Sequence, residues 1–389
     1  MSKVTSLAEV VAEREITAVN LYDLAKQRDR LGERIEARID DVLKHGQFIL
    51  GPEVAELEEE LAKFAGACHA IGVSSGRDGL TMAMMALGVG PGDAVFVPGF
   101  TFSASAASVA PLGAEPVFVD VDPDTFNMDP AALEEAIATV EREGRLQPKA
   151  VMPVDLYGLP ADYAAISGIS ARHGMRVLAD AAQSFGGMLG NSQVGTLAPI
   201  TATSFYPTKP LGAYGDGGAI FTEDDALAEA VMMIRTHGRQ GSGDHALRIG
   251  MTARLDTIQA AVLLVKLQSF SDELVRRRQV AETYTELLSG LVETPKVSGG
   301  AKSAWALYTI KVPDRDAVRE RLAAAGVGTG LFYSVPLHHH PAFERWVPEG
   351  LSLPVSERLA GEVLSLPIHG DLEDGEIAFV VDRLKDALA

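Results

Sequence analysis

Cysteine is nearly absent. Cys68 stands alone in 389 residues, which excludes an intrachain disulfide framework; a lone cysteine reads as a small buried hydrophobe. Basic residues are also scarce. The chain has 34 Lys and Arg against 53 Asp and Glu, a net charge of −19, and so acidic a surface repels nucleic acid and anionic membrane. Apolar runs long enough to span a bilayer are missing. The opening residues, Met1 to Thr5, lack the basic-then-apolar pattern of a secretion signal. What the chain does have is 47% hydrophobic residues, ample for a core spread over two or three domains. A cytoplasmic enzyme fits these bounds.

One segment runs against the charge trend. Arg235, Arg239, Arg248 and Arg254, with His237 and His245, stand against a single Asp244. It reads as a solvated basic loop, and local charge for an anionic ligand such as a diphosphate is the sharper alternative.

Residues 13–45 have helical spacing, with apolar positions at Leu21, Leu24, Leu31, Ile35, Ile39 and Leu43. A second helix follows Pro52. Short apolar strands are expected near residues 94–97, 116–119, 150–154, 176–179, 202–205 and 219–221. Helical stretches lie between several of them, at 78–87, 103–110, 130–140 and 163–173. Strands alternating with helices imply an α/β fold with a mostly parallel central sheet covered on both faces. The last two strands are joined by a glycine-rich connection and can pair differently. From Leu255 a long helix changes its buried stripe, from Ile258, Val262 and Val265 to Leu263, Leu267, Phe270 and Leu274. The boundary between a large domain, 1–265, and a smaller C-terminal α/β domain, 266–389, is drawn inside it. The second unit is expected to hold a strand at 304–312 and helices at 314–325 and 375–388.

Three segments carry chemistry. In Thr203-Ser-Phe-Tyr-Pro-Thr-Lys209 a strand ends in a lysine, and four glycines follow between Gly212 and Gly218. Such a loop allows tight geometry and partial desolvation, which lowers an amine's pKa and favours Schiff-base chemistry; a surface lysine beside a hairpin is the plainer reading. In Arg176-Val-Leu-Ala-Asp180 an apolar strand ends in a carboxylate, where α/β sheets bind ligands. It can hold a ring nitrogen cationic or cap the next helix. At Val73-Ser-Ser-Gly76-Arg77 a strand turns into a helix whose N-terminus suits a phosphate.

Together these segments resemble the DegT-type nucleotide-sugar aminotransferases, pyridoxal-phosphate enzymes of fold type I. The resemblance spans nearly the whole chain. It includes His45-Gly-Gln-Phe-Ile-Leu-Gly-Pro-Glu53, Pro98-Gly-Phe-Thr-Phe102, Pro153-Val-Asp-Leu-Tyr-Gly158, Asp180-Ala-Ala-Gln183, Arg254-Leu-Asp-Thr-Ile-Gln-Ala-Ala261 and Pro336-Leu-His338. Within the family the chain is most similar to enzymes that aminate C3 of a UDP-linked 3-oxo-hexuronic acid.

The resemblance implies a role for each matching position. Lys209 would carry pyridoxal 5′-phosphate and shuttle a proton, and Asp180 would pair with the pyridine nitrogen. Gln183 would bond the ring hydroxyl, with Phe102 and Ala182 on the two ring faces. Gly76, Arg77, Ser204 and Thr252 would bind the phosphate. Arg254, Phe332, Tyr333 and His338 would meet the substrate. L-glutamate would be the donor, pyridoxamine phosphate the intermediate form, and a keto-sugar nucleotide of bacterial-type surface polysaccharide biosynthesis the acceptor. A homodimer with shared active sites is implied, the 239–254 loop reaching the partner's site. The alternatives are a 4-keto substrate or a catalytically idle cofactor-binding regulator. A dehydratase would have histidine in place of Lys209.

Three positions depart from the family pattern. Arg77 replaces a threonine in Ser-Gly-Thr. Gly250-Met-Thr252-Ala-Arg254 replaces Gly-x-Asn-Ser-Arg. Phe332 replaces a histidine beside the sugar carboxylate. Arg77 is expected to offset the lost phosphate donors with a charge-assisted bond. His338-His339-His340 reads as no metal site, since consecutive side chains point apart. Met82, Met84 and Met85 read as core filler.

Overall fold

The computed structural model describes residues 16–241, 243–297 and 299–389. The first helix, α1 (Leu24–His45), begins later than its spacing suggests; residues 13–15 lie outside the described residues. Asp23 caps it, Oδ1 accepting from the N–H groups of Ala25 and Lys26 at 3.1 Å each. The chain before Asp23 finds its hydrogen bonds elsewhere. Val19 donates to Gly326, and Gly328 donates to Val19. Leu21 is therefore off the helix, and Leu43 faces outward while Leu31, Ile35 and Val42 are buried. The second helix, α2, is Pro52–Ala65.

The central sheet is built from β1 (His69–Val73), β2 (Asp93–Pro98), β3 (Glu115–Val119), β4 (Gln147–Val151) and β5 (Arg176–Asp180). After a two-residue hairpin, β6 (Met188–Leu189) with β7 (Ser192–Gln193), come β8 (Ile200–Ser204) and β9 (Gly218–Thr222). The order is β1-β9-β8-β5-β4-β2-β3. From β8 to β3 every pairing is parallel. The last strand turns back: β9 is antiparallel to both β8 and β1. The 13-residue link, 205–217, carries no crossover helix, and a parallel return needs a crossover.

Helices cover both faces. On one lie α3 (Gly76–Ala86), the four-residue α4 (Ala104–Ala107) and α7 (Asp225–Arg235). Leu80, Met82, Met84, Val231 and Ile234 are buried there against Val95, Val97, Leu178 and Ile220. On the other, α5 (Pro130–Glu143) and α6 (Tyr163–Arg172) set Leu133, Ile137 and Ile166 against Phe96 and Val151. Nearby, α2 and α8 (Thr257–Leu287) bury Leu57, Leu61 and Leu263 against Phe221.

Helix α8 serves two cores. Ala260, Leu263, Leu264 and Phe270 pack towards the large sheet and Val262 and Val265 against α1, whereas Val280, Ala281 and Tyr284 pack on the C-terminal unit. That unit begins with β10 (Ala301–Lys302), paired with β6. It continues with β11 (Tyr308–Lys311), α9 (Arg315–Ala324), α10 (Pro354–Glu362), β12 (Val363–Leu366) and α11 (Asp374–Leu388). The expected strand at 304–312 thus shortens to four residues. Val19 packs in this second core too.

Two expectations from the sequence are corrected. Cys68 is exposed, in the turn between α2 and β1, where its Sγ donates to Glu223 Oε2 at 3.0 Å. Arg235 is no solvated loop residue. It is buried at the end of α7, with Nη1 bonded to Glu58 Oε1 at 2.5 Å and to the Gly72 carbonyl at 3.0 Å.

Candidate active site

The carboxyl ends of the parallel strands open onto a cavity of about 600 Å³, bordered by Phe102, Asp180, Ser204 and Lys209. Strand ends deliver these side chains together because parallel strands point the same way. Volumes of roughly 300–1,000 Å³ suit small ligands and cofactors.

Asp180 closes β5 and is 4% exposed. Its Oδ2 accepts from Ser105 Oγ at 2.8 Å, and its Oδ1 accepts from the Ala182 N–H at 3.2 Å. Burial raises its pKa against the lowering effect of the Ser105 bond. The Lys209 charge is the smallest of the influences that lower it, and a protonated ring nitrogen would supply a further cation. Across the cavity, burial pulls the Lys209 amine down to about 8, with the Asp180 charge opposing. An amine with that value is partly unprotonated near neutrality.

Gln183 is held at both ends. Its Oε1 accepts from the Tyr157 N–H at 2.7 Å, and its Nε2 donates to Tyr333 OH at 3.2 Å. Tyr157, at φ 59, turns its hydroxyl to the Phe332 carbonyl. Phe102 stands open to the cavity at 55% exposure, its ring 6.0 Å from that of Tyr333. Ala182 and Phe332 also border the space.

The cavity also reaches the start of α3, at Ser75, Gly76 and Arg77. A helix leaves its first N–H groups without helical partners, here those of Gly76 and Arg77. Ser75 caps α3 by accepting from the Asp78 N–H at 3.1 Å. A Cβ at Gly76 would stand 2.7 Å from that of Ser204, so only glycine lets the turn close on Ser204. Arg77 borders the cavity, but its Nη2 donates to the Ala107 carbonyl at 3.3 Å. The buried carboxylate, the half-buried Lys209 amine and the helix N-terminus together fit pyridoxal phosphate.

Three expected residues lie elsewhere in the chain. Thr252 is exposed, its Oγ1 3.3 Å from His237 Nε2. Arg254 pairs through its backbone with Val73 and does not border the cavity. His338 is buried away from it, with Nε2 3.0 Å from Glu357 Oε1. The rings of His338 and His339 do not point apart as expected. Their centroids are 4.2 Å apart, and His339 Nε2 is 3.8 Å from the same Glu357 oxygen. Both histidines lie in a 3₁₀ turn over Leu337–His339, and both ring nitrogens reach Glu357 of α10.

Sequence reasoning missed Tyr22, Ser105, Tyr157 and Thr208. Ser105 sits among alanines and serines on a short helix, so nothing local marks it. Pro153-Val-Asp-Leu-Tyr-Gly158 did mark the turn that carries Tyr157, without assigning it a role.

Comparison with known proteins agrees with this geometry. The model of the DegT/DnrJ/EryC1/StrS aminotransferase family matches residues 29–385. The UDP-2-acetamido-2-deoxy-3-oxo-D-glucuronate aminotransferase of Pseudomonas aeruginosa is 46% identical over 94% of this chain and 99% of its own. A DegT DnrJ EryC1 StrS aminotransferase from Brucella abortus superposes with a TM-score of 0.92 at 46% identity, covering 95% of this chain and 99% of that one. NtdA from Bacillus subtilis, solved with bound pyridoxamine phosphate, gives 0.88 at 30% identity, covering 97% and 86%. The chain belongs to the DegT/DnrJ/EryC1/StrS aminotransferase family, with pyridoxal phosphate as its cofactor.

Proposed function

We propose that this protein transfers an amino group from L-glutamate to a keto-sugar nucleotide, a UDP-linked 3-keto sugar in the first instance. The reaction serves bacterial-type surface polysaccharide synthesis in the cytoplasm. The observation that carries the reading is that buried Asp180 and half-buried Lys209 border one cavity. The substrate class follows the 46% identical relative, whose name specifies a UDP-linked 3-oxo sugar acid. Among the described residues no helix is long and apolar enough to cross a membrane.

The cofactor supplies an electron-accepting ring that lets a C–H bond next to nitrogen ionise. The chain's own residues do the rest. Asp180 holds the ring nitrogen protonated, and Ser105 and the Ala182 N–H fix the carboxylate. Lys209 binds the cofactor, then takes the proton from the substrate carbon and returns it on the other side of the exchange; its amine, near 8, suits both directions. Gln183 orients the ring hydroxyl. Phe102 and Ala182 flank the ring. Gly76, Arg77 and Ser204 hold the phosphate, and Tyr333 faces the substrate.

Thr252 and Arg254, which do not border their own chain's cavity, reach the cavity of a second copy in a homodimer. There Thr252 adds to the phosphate site and Arg254 meets the substrate. Phe332 brings no charge to the pocket, so Arg254 and Tyr333 bear the recognition of a sugar carboxylate.

The test is visible absorbance with pyridoxal phosphate, before and after L-glutamate, in wild type and Lys209→Ala. A band that glutamate bleaches, and that the variant lacks, supports the half-reaction. No band in the wild type would sink it. Turnover of uronate against neutral keto-sugar nucleotides then tests the acceptor, because a pocket built to bond a charge rejects analogues lacking it.

A further inference from the structure

Lys266 lies in the middle of α8 at 2% exposure. Burying an ammonium is costly, and a methionine would fill similar space without that cost. The ammonium's partners lie in the loop that starts at Lys209. Its Nζ donates to the Gly212 carbonyl at 2.7 Å and sits 4.5 Å from the centre of the Tyr214 ring.

That loop has little slack. A Cβ at Gly212 would stand 2.3 Å from the Pro207 carbonyl oxygen. The Ala213 N–H donates to Phe205, and the Lys209 N–H donates to Tyr206, at 2.7 and 2.8 Å. Gly212 is therefore stacked on the strand end that leads into Lys209, and a shift in one carries to the other. Gln259, two helical turns before Lys266 on the same face, accepts from the Tyr214 N–H at 2.9 Å. Two side chains of one rigid helix thus grip the loop at two points.

We infer that Lys266 is a positioning residue for Lys209, its bond to the Gly212 carbonyl clamping the Lys209 loop against α8 and fixing where the Lys209 amine stands. The inference rests on the reading of Lys209 as the cofactor-bearing amine. The charged groups around Lys266 are Glu273 on α8, Arg30 on α1 and the Tyr214 hydroxyl of the loop. Burial lowers Lys266 to about 8, with Glu273 opposing and Arg30 adding to the fall. The clamp is charged at neutral pH and loses its proton as pH rises past that value.

The test uses the holoenzyme with Lys266→Met, which fills the space without a donor, and Lys266→Gln, which keeps a neutral donor. In the methionine variant kcat falls roughly tenfold or more with little change in KM, as small misplacements of a reacting group do. The pH midpoint of the cofactor's visible absorbance moves with it, by about half a unit or more, as the environment of the Lys209 amine changes. The glutamine variant, whose neutral amide donates a weaker bond than an ammonium, recovers part of both. Wild-type values in the methionine variant overturn the proposal. So does equal loss in both variants with an unmoved midpoint, which marks general damage.

Should the methionine variant not fold, hydrogen exchange on the wild-type holoenzyme at pH 7 and 9 decides. Faster exchange in 209–214 than intrinsic chemistry explains, with α8 still protected, supports the clamp; unchanged protection overturns it. If the visible band survives in Lys209→Ala, the reading of Lys209 fails instead, and the exchange result still reports on Lys266.

Discussion

At the scale of single residues the site works against the stability of the fold around it. Lys209 is held near 8, below its ordinary 10.5, so burying its ammonium costs the cofactor-free protein stability. That cost is full below pH 8 and disappears between 8 and 10.5, where the unfolded chain also loses its proton. Lys209→Met is expected to stabilise the cofactor-free protein by about 2 kcal/mol at pH 7, allowing for solvent in the open cavity. Thermal melts from pH 7 to 10.5 check this, since the advantage must shrink across that range. Asp180→Asn removes the charge that holds a ring proton. It is expected to retain the cofactor while lowering kcat by two or more orders of magnitude, roughly the scale of lost electrostatic stabilisation. Equal kcat in the two proteins rules out the assigned role. Arg77 has its guanidinium on the Ala107 carbonyl. In Arg77→Ala we expect a cofactor Kd raised about tenfold, the worth of one charge-assisted bond. Equilibrium dialysis reads it, and an unchanged Kd assigns the phosphate to backbone N–H groups alone.

At the scale of elements, what could be read from the chain was whatever depended on neighbours in sequence. Strands β2, β3 and β5 fall where short apolar runs predict them, because a strand buried on both faces is apolar throughout, whereas β4 starts three residues before its run, at exposed Gln147. Helix α1 was overextended because helical spacing continues through Leu21, while Val19 pairs with Gly326 and Gly328, some three hundred residues away, and the local cap of Asp23 starts the helix. Asp23→Ala is expected to cost about 1 kcal/mol of stability by denaturant titration; no change would show that the distant pairing alone sets the start of α1. The switch of buried stripe along α8 was visible in sequence. Its two stripes meet different partners within the large unit, Val262 and Val265 against Leu31 and Ile35 of α1, and Leu263, Leu267, Phe270 and Leu274 in the core with Phe221; the C-terminal core is met only further along, at Val280, Ala281 and Tyr284.

At the scale of the whole molecule, the proposed homodimer would complete the site. Leu247 and Ile249 are 61% and 84% exposed, on the loop that carries basic residues towards Thr252 and Arg254. Phe48 and Ile49 are exposed as well. If active sites are shared, mixing Lys209→Ala with Arg254→Ala subunits restores activity that neither variant has alone, since some mixed dimers contain one intact site. Absence of complementation, with subunit exchange verified by mass, would count against sharing.

The sequence by itself determined the chemistry that is local in the chain. A lysine after a strand, a carboxylate ending another, and a glycine turn before a helix are each set by a few consecutive residues, and so is the alternation that makes the sheet parallel. Tertiary structure alone decided who assists them. Ser105 reaches Asp180 across 75 residues, Tyr157 reaches Gln183 across 26, and Lys266 reaches Gly212 across 54. It also decided that Cys68 is exposed, Arg235 buried, and the rings of His338 and His339 convergent. Spacing reports on periodicity within one element. Hydrogen bonds between elements depend on how the sheet brings strand ends together, which no single segment encodes.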